Sequence, residues 1–244
     1  EVRPLDVRGL ARGLTLALSF EAEPFRDLGP GAVEVVAEGG VSTGPGRMGR
    51  AARLDGEDDA LVLPGSRPRT LAMWFRIEDE GVAGWYFAGD AREPGRAFIL
   101  GTYREDALPA SWDGLASGLA IAFFRTEVLV PASDLVGGWH HLVLAWDGER
   151  RGRVALDGEL RGGAVAPDRI AFGPREGFVL PRSMDVDPAL PAILGRFDAD
   201  WWGQIGGRPH FRGSIDELAT WDRQLEAEEM LDLFRFETSY CEAL

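Results

Sequence analysis

Alternation with a period of two runs through GGWHHLVLAWDGERRGRVALDGELRGG (Gly137–Gly163). Successive side chains of an extended strand point to opposite faces. His140, Leu142, Leu144 and Trp146 therefore share one face, and Trp139, His141, Val143 and Ala145 the other. Two Asp-Gly pairs follow, Asp147-Gly148 and Asp157-Gly158. The second lies between Val154-Ala155-Leu156 and Glu159-Leu160, the signal of a two-residue hairpin turn. A chain that places strand, turn and strand so close together is committed to an antiparallel sheet.

The same pattern recurs. In RTLAMWFRIED (Arg69–Asp79), Leu71, Met73, Phe75 and Ile77 share one face; Thr70, Ala72, Trp74 and Arg76 share the other. GLTLALSFEAE near the start, AARLDGEDDALVLPG, GWYFAGD and RAFILGTY read as further strands. GLAIAFF and EVLVP form a hairpin around Arg125–Thr126. Residues 163–191 read as a loop with short strands, AILGRF resumes a strand, and Phe211–Asp222 closes the series. The 32 glycines and 15 prolines supply turns, and 45 % hydrophobic residues supply a core. Leu225, Met230, Leu231 and Phe234 have helical spacing, with Glu226, Glu228 and Glu229 in the first turn, where the helix dipole favours acids. One short C-terminal helix is expected. No linker or repeat divides the 244 residues, so the chain reads as one all-β antiparallel sandwich domain.

The net charge of −14 disfavours nucleic acid and anionic lipid as partners, while acidic loops attract cations such as Ca²⁺. All basic side chains are arginine, which reads as compositional bias; the chain has no asparagine and hence no N-glycosylation sequon. No apolar run approaches the roughly 20 residues that span a bilayer, so membrane insertion is not expected. The first residue is Glu1, in keeping with a processed product whose signal peptide is gone, or with a trimmed boundary. Cys241 has no internal partner. It is read either as an inert thiol in a frayed tail or as a disulfide link to another chain, with self-assembly.

LALSFEAE, GRAARLDGEDDALVLPG, RTLAMWFRIED, GWHHLVLAWDGERRGRVALDGEL and FRGSIDELATWDRQLEAEEM, in this order, resemble the laminin-G-like branch of the concanavalin A-like lectin/glucanase superfamily. The likeness covers about residues 13–234. It implies a jelly-roll sandwich of two curved antiparallel sheets, with the last long strand returning beside the first. The C-terminal helix would then cover a sheet edge or end, and Asp216 would meet the loop after Leu54. The resemblance also implies a structural Ca²⁺, with Asp216 as the first ligand candidate and Asp55, Gly56, Asp58 and Glu21 behind it. The alternative is a solvated acidic turn at 55–59 and a loop-capping Asp216.

Trp201, Trp202 and Trp112 stand in polar, glycine-rich loops, and Trp74 lies opposite the apolar face of its strand, where it would line the concave sheet. Each is a candidate stacking platform for a sugar ring or a residue buried under a loop. His140 is read as a core histidine, and His141, on the other face, as reaching ligand or solvent. The resemblance brings with it glycosidases that use an E-x-D-x-x-E-type strand, and SIDELATWD does not carry that pattern. The expected function is a non-catalytic, secreted or cell-surface module that binds a glycan or protein ligand. The alternatives are a structural subunit of a surface assembly and a divergent carbohydrate-active enzyme.

Overall fold

The computed structural model describes residues 6–78, 84–89, 97–104, 106, 117–122, 127–132, 134–166, 170–180, 186, 189–196 and 210–244. A short helix α1 (Val7–Ala11) precedes β1 (Leu14–Leu18), β2 (Val36–Glu38), β3 (Ser42–Pro45), β4 (Arg50–Asp55), β5 (Ala60–Leu63) and β6 (Thr70–Ile77). Next come β7 (Gly84–Gly89), β8 (Ala97–Tyr103), β9 (Gly118–Ala122), β10 (Glu127–Pro131), β11 (His140–Trp146) and β12 (Arg151–Leu156). The chain ends with β13 (Glu159–Arg161), β14 (Gly163–Ala166), β15 (Ile170–Phe172), β16 (Phe178–Val179), β17 (Ala192–Leu194), β18 (Arg212–Trp221), α2 (Ala227–Phe234) and α3 (Tyr240–Ala243).

Two antiparallel sheets result. The first runs β13-β12-β11-β6-β18-β4-β3, with β1 also against β18 and β16 also against β12; the second runs β15-β14-β10-β9-β8-β7-β17-β5-β2. Between them, Leu71, Met73, Phe75 and Ile77 of β6 and Leu142, Leu144 and Trp146 of β11 meet Trp85, Phe98, Leu100 and Ile121 of the second sheet. The alternation of the sequence thus sorts side chains as expected. β9 and β10 pair with Glu127 opposite Ala122, the hairpin read around Arg125–Thr126.

The closing strand is the spine of the first sheet. Along one side it pairs with β6. On the other side its start pairs with β4 and its end with β1, so last and first strands are neighbours, as the resemblance implied. Between those two partners the register breaks at a bulge, where Glu217 takes a left-handed φ of 52°. The turn before β4 fills the gap: the backbone N–H groups of Arg47 and Met48 donate to Asp216 Oδ2 at 2.8 and 2.9 Å, and that of Glu217 donates to Oδ1 at 2.9 Å. Buried N–H donors must be satisfied, and Asp216 does this where the ladder lapses.

The helices differ from expectation in number and place. Glu226 is the N-cap of α2, in a capping box with Glu229, so Leu225 lies outside it. α2 lies over β11, β12 and the edge strand β13, and Met230 and Leu233 pack on the outer face of the first sheet against Ala72, Trp74, Val143, Ala145 and Ala155. α1 and α3 join this second core through Leu10, Tyr240 and Cys241. The tail is therefore not frayed. Cys241 is buried, with its thiol on the Leu218 carbonyl, where no partner cysteine reaches it.

The Asp157-Gly158 turn joins Leu156 to Glu159 with both φ angles positive, 53° and 74°. Two left-handed residues match a type I′ turn, whose twist suits a hairpin. The Asp157 carboxylate accepts from His141 N at 2.9 Å and bonds His140 Nδ1 at 2.9 Å. Burial pushes this carboxyl up, but those bonds outweigh it and hold it below the usual range. Asp157→Ala removes them and leaves alanine in a strained conformation. The expected loss is about 2–3 kcal/mol, read from denaturant unfolding; a loss under about 0.5 kcal/mol contradicts this role.

Candidate functional site

Strand register assembles the site from separated stretches of sequence. Residues directly opposite in an antiparallel pair share a face. Ser42 faces Arg53, Arg53 faces Ser214, and Ser214 faces Arg76. One step further along, Asp55 faces Arg212, and Glu78 N donates to the Arg212 carbonyl at 3.1 Å. Ala52 and Leu54 point into the sandwich, so Arg53 and Asp55 point away from it. These polar residues make up the half of the first sheet's outer face that the helices leave open. At the boundary, the Arg47 guanidinium lies 4.7 Å from the Trp74 ring centroid; Arg76 lies 5.6 Å from that of Trp139.

Ser42, Arg53, Asp55, Asp59, Glu78 and Arg212 line a cleft of about 250 Å³ here. Ligand pockets run from roughly 300 Å³ upward, so the cleft suits a small polar group such as one sugar unit. A cavity of about 80 Å³ beside Leu63, Tyr86 and Thr220 is smaller and more apolar. The outer face of the second sheet carries Ile99, Ala120 and Leu129, all buried. Of these two cavities, the cleft is the one with charged, accessible side chains.

Its walls are held by the arch between the sheets. Asp55-Gly56 carries the chain from β4 in the first sheet to β5 in the second, so this turn is a crossover rather than a hairpin. Asp59 secures it: one carboxylate oxygen accepts from Gly40 N and the other from Asp55 N at 2.8 Å. Asp55 Oδ1 accepts from Glu57 N at 2.8 Å, and Glu78 takes Arg76 Nη2 at 3.0 Å. Gly56 has a φ of 81°, and its backbone passes against the Arg212 side chain, leaving no room for a Cβ.

The residues anticipated from sequence fall into three groups. Asp55, Gly56 and Asp58 come together at the arch. Asp216 and Glu21 lie at the other end of β4, because the antiparallel register puts Arg212, not Asp216, opposite Asp55. Asp216 therefore meets the turn before β4 rather than the loop after Leu54. Glu21 Oε1 accepts from Arg50 N at 3.0 Å near that turn.

Trp74 and His141 form the second group, and both are corrected. They sit side by side in the ladder under the C-terminal helices. Trp74 is 3 % exposed and His141 1 %. Their rings are 4.9 Å apart, with Phe234 and Tyr240 against them. Neither lines an open face, because strand parity does not reveal what covers a face. His140, expected in the core, lies at its margin, mostly buried beside Phe75 and bonded to Asp157 and the Asp134 carbonyl. Trp112, Trp201 and Trp202 lie outside the described residues. Arg196 and His210, on either side of the latter pair, form a bridge close to Arg212. Arg53, Arg212, Ser42 and Glu78 went unrecognised in the sequence, although the outward parity of Arg53 between Ala52 and Leu54 is visible there.

Calcium needs 6–8 oxygen ligands. Asp216 does not fit: it is fully buried and surrounded by N–H donors, which repel a cation. Carboxylate oxygens of Asp55, Asp58 and Asp59 lie within 4.8 Å of one another, and both Asp59 oxygens already accept backbone N–H groups.

Residues 55–230 match the model of a laminin G family described as the concanavalin A-like lectin/glucanases superfamily. The chain belongs to this family. No curated protein matches the sequence. Among solved structures, domain 4 of the GH43 extracellular arabinanase AbnA from Geobacillus stearothermophilus, in complex with arabinotriose, is similar at a TM-score of 0.61 and 20 % identity, over 90 % of this chain and 97 % of that one. The binding domain of Paraclostridial Mosquitocidal Protein 1 is similar at 0.58 and 13 %, over 92 % of this chain and 52 % of that one. A botulinum neurotoxin type C structure, whose cell entry depends on two ganglioside molecules, gives 0.54 and 10 %, over 94 % and 52 %. The chain spans about half of each of these last two. At such identities the likeness concerns the fold: the lectin-like sandwich is shared, and the cleft belongs to this chain. Among the described residues no helix is long and apolar enough to cross a membrane.

Proposed function

We propose that this member of the family is a non-catalytic carbohydrate-binding module working outside the cell, with the cleft at Arg53, Asp55 and Arg212 as its recognition site. The observation that carries the reading is the cleft itself: an open, charged hollow of sugar-unit size, built on strands and braced by Asp59. Sites on regular elements hold their groups in place before the ligand arrives, which lowers the cost of binding. Solved proteins of the same fold include one holding arabinotriose and one that depends on gangliosides, which supports a glycan over a protein ligand. The adjacent acids of the closing strand, Asp216 and Glu217, are fully buried, so no substrate reaches them; this supports binding without cleavage.

Affinity electrophoresis and calorimetry of the purified chain against a panel of plant, microbial and animal polysaccharides test it. Saturable binding to at least one glycan, with no new reducing ends after prolonged incubation, is expected. Absence of binding across the panel contradicts the glycan reading, and release of shorter products contradicts the non-catalytic one.

A further inference from the structure

The hydrogen-bonding capacity left open in the cleft lies mostly with its cations. The carboxylates that line it are already engaged in part by the protein: Asp59 through both oxygens, Asp55 through one by Glu57 N, and Glu78 through one by Arg76. The cations are not. Arg53 and Arg212 are exposed on neighbouring strands, and among the described residues neither guanidinium has a hydrogen bond, ion pair or ring contact. Each offers up to five N–H donors in a planar fork that matches two oxygens of an oxyanion. A neutral sugar hydroxyl uses one such donor at a time; a carboxylate or sulfate takes two and adds charge.

We propose, resting on the glycan-binding reading above, that the ligand is an acidic glycan whose uronate carboxylate or sulfate ester is clamped between Arg53 and Arg212. Hydroxyls flanking the acid group meet Ser42 and the outward oxygen of Asp55. The charge of the whole chain sharpens the inference. At −14 it repels a polyanion at long range, so diffuse attraction does not account for acidic-glycan binding and a local cationic pair is required. It also predicts selectivity for sparse acid groups: a polymer with one acid per several sugars suffers less repulsion than a densely charged one.

The test compares a carboxylated polymer (polygalacturonate), a sulfated one (chondroitin sulfate) and a neutral one (linear arabinan). Each is measured on the whole chain, on Arg53→Gln and Arg212→Gln, and on the double variant, with thermal melts as the folding control. Both side chains are exposed, so the melts should stay within a degree or two. At least one acidic polymer should bind tenfold or more tightly than the neutral one. Each single variant should lose about tenfold for that polymer, and the double variant should fall to the neutral level. Which acidic polymer responds separates carboxylate from sulfate. Equal affinity for acidic and neutral polymers overturns the acidic clamp while leaving glycan binding in place, as does acidic binding that both variants retain. Absence of binding to all three defeats the clamp, and the wider panel above then decides whether glycan binding survives.

Discussion

Trp221→Ala should lower the unfolding free energy by about 3–5 kcal/mol, the usual cost of emptying a large aromatic site in a core. Trp221 ends the closing strand and is fully buried, and its indole N–H donates to the Leu10 carbonyl at 2.7 Å. It shares the second core with Leu14, Leu225 and Met230. The truncation therefore opens a cavity between the first sheet and α2 and also strips α1 of its anchor. Arg223, bound to the Gly9 and Arg12 carbonyls and to Glu229, and the packing of Leu10 then remain to hold α1. Trp221→Phe, which keeps most of the volume and loses the N–H, should cost about 1–2 kcal/mol. Denaturant unfolding measures both. Because the cleft lies on the open half of the same face, glycan affinity below the melting range should be unchanged. A loss under about 1 kcal/mol for the alanine variant means that the helices are not held as described.

The second large effect is a fall in stability from pH 6.5 to 8. Asp216 and Glu217 are fully buried, and among the described residues no cation pairs with either. Burial pushes both carboxyls up, and for Asp216 it outweighs the three N–H donors, raising it from 3.8 to about 8. A raised acid holds its proton in the fold after the unfolded chain has released it. Stability is then fully present below 3.8 and lost as pH rises towards 8, at up to about 1.4 kcal/mol per pH unit. His141 has the opposite slope. Burial lowers it from 6.5 to about 3, so its contribution is complete above 6.5 and lost as pH falls. Between about 4.5 and 6.5 the slope of His141 opposes that of the two acids; above 6.5 the raised acids act without it. The melting temperature should therefore change less from pH 4.5 to 6.5 than from 6.5 to 8, where it drops by several degrees. Asp216→Asn should remove most of that drop. A wild-type melting temperature that holds or rises from 6.5 to 8 contradicts the protonated Asp216.

What was legible in the sequence was what local geometry dictates. Alternation in β6 and β11 assigned Leu71, Met73, Phe75, Leu142 and Leu144 to one face, and they form the core between the sheets. Asp157-Gly158 announced its hairpin because few residue pairs take two left-handed angles. Asp55-Gly56 was legible as a turn, yet the same chemistry serves a hairpin and a crossover, so its role as the arch beside the cleft was not. Trp74 and His141 were placed on the correct face of their strands, but what packs on that face is α2 and α3, far further along the chain. Arg53 and Arg212 are far apart in sequence, and only the pairing of β4 with β18 brings them to one hollow. Asp216 carries the same lesson: its partners are set by a bulge that no local pattern announces.

Locating a bound sugar tests the central claim most directly. A crystal structure of the chain soaked with the best-binding oligosaccharide from the panel, or amide shift mapping in solution, reports where the ligand sits. The account predicts the sugar on the open half of the first sheet's outer face, in contact with Arg53 and Arg212. A sugar bound instead to the second sheet, or elsewhere with both arginines untouched, contradicts it.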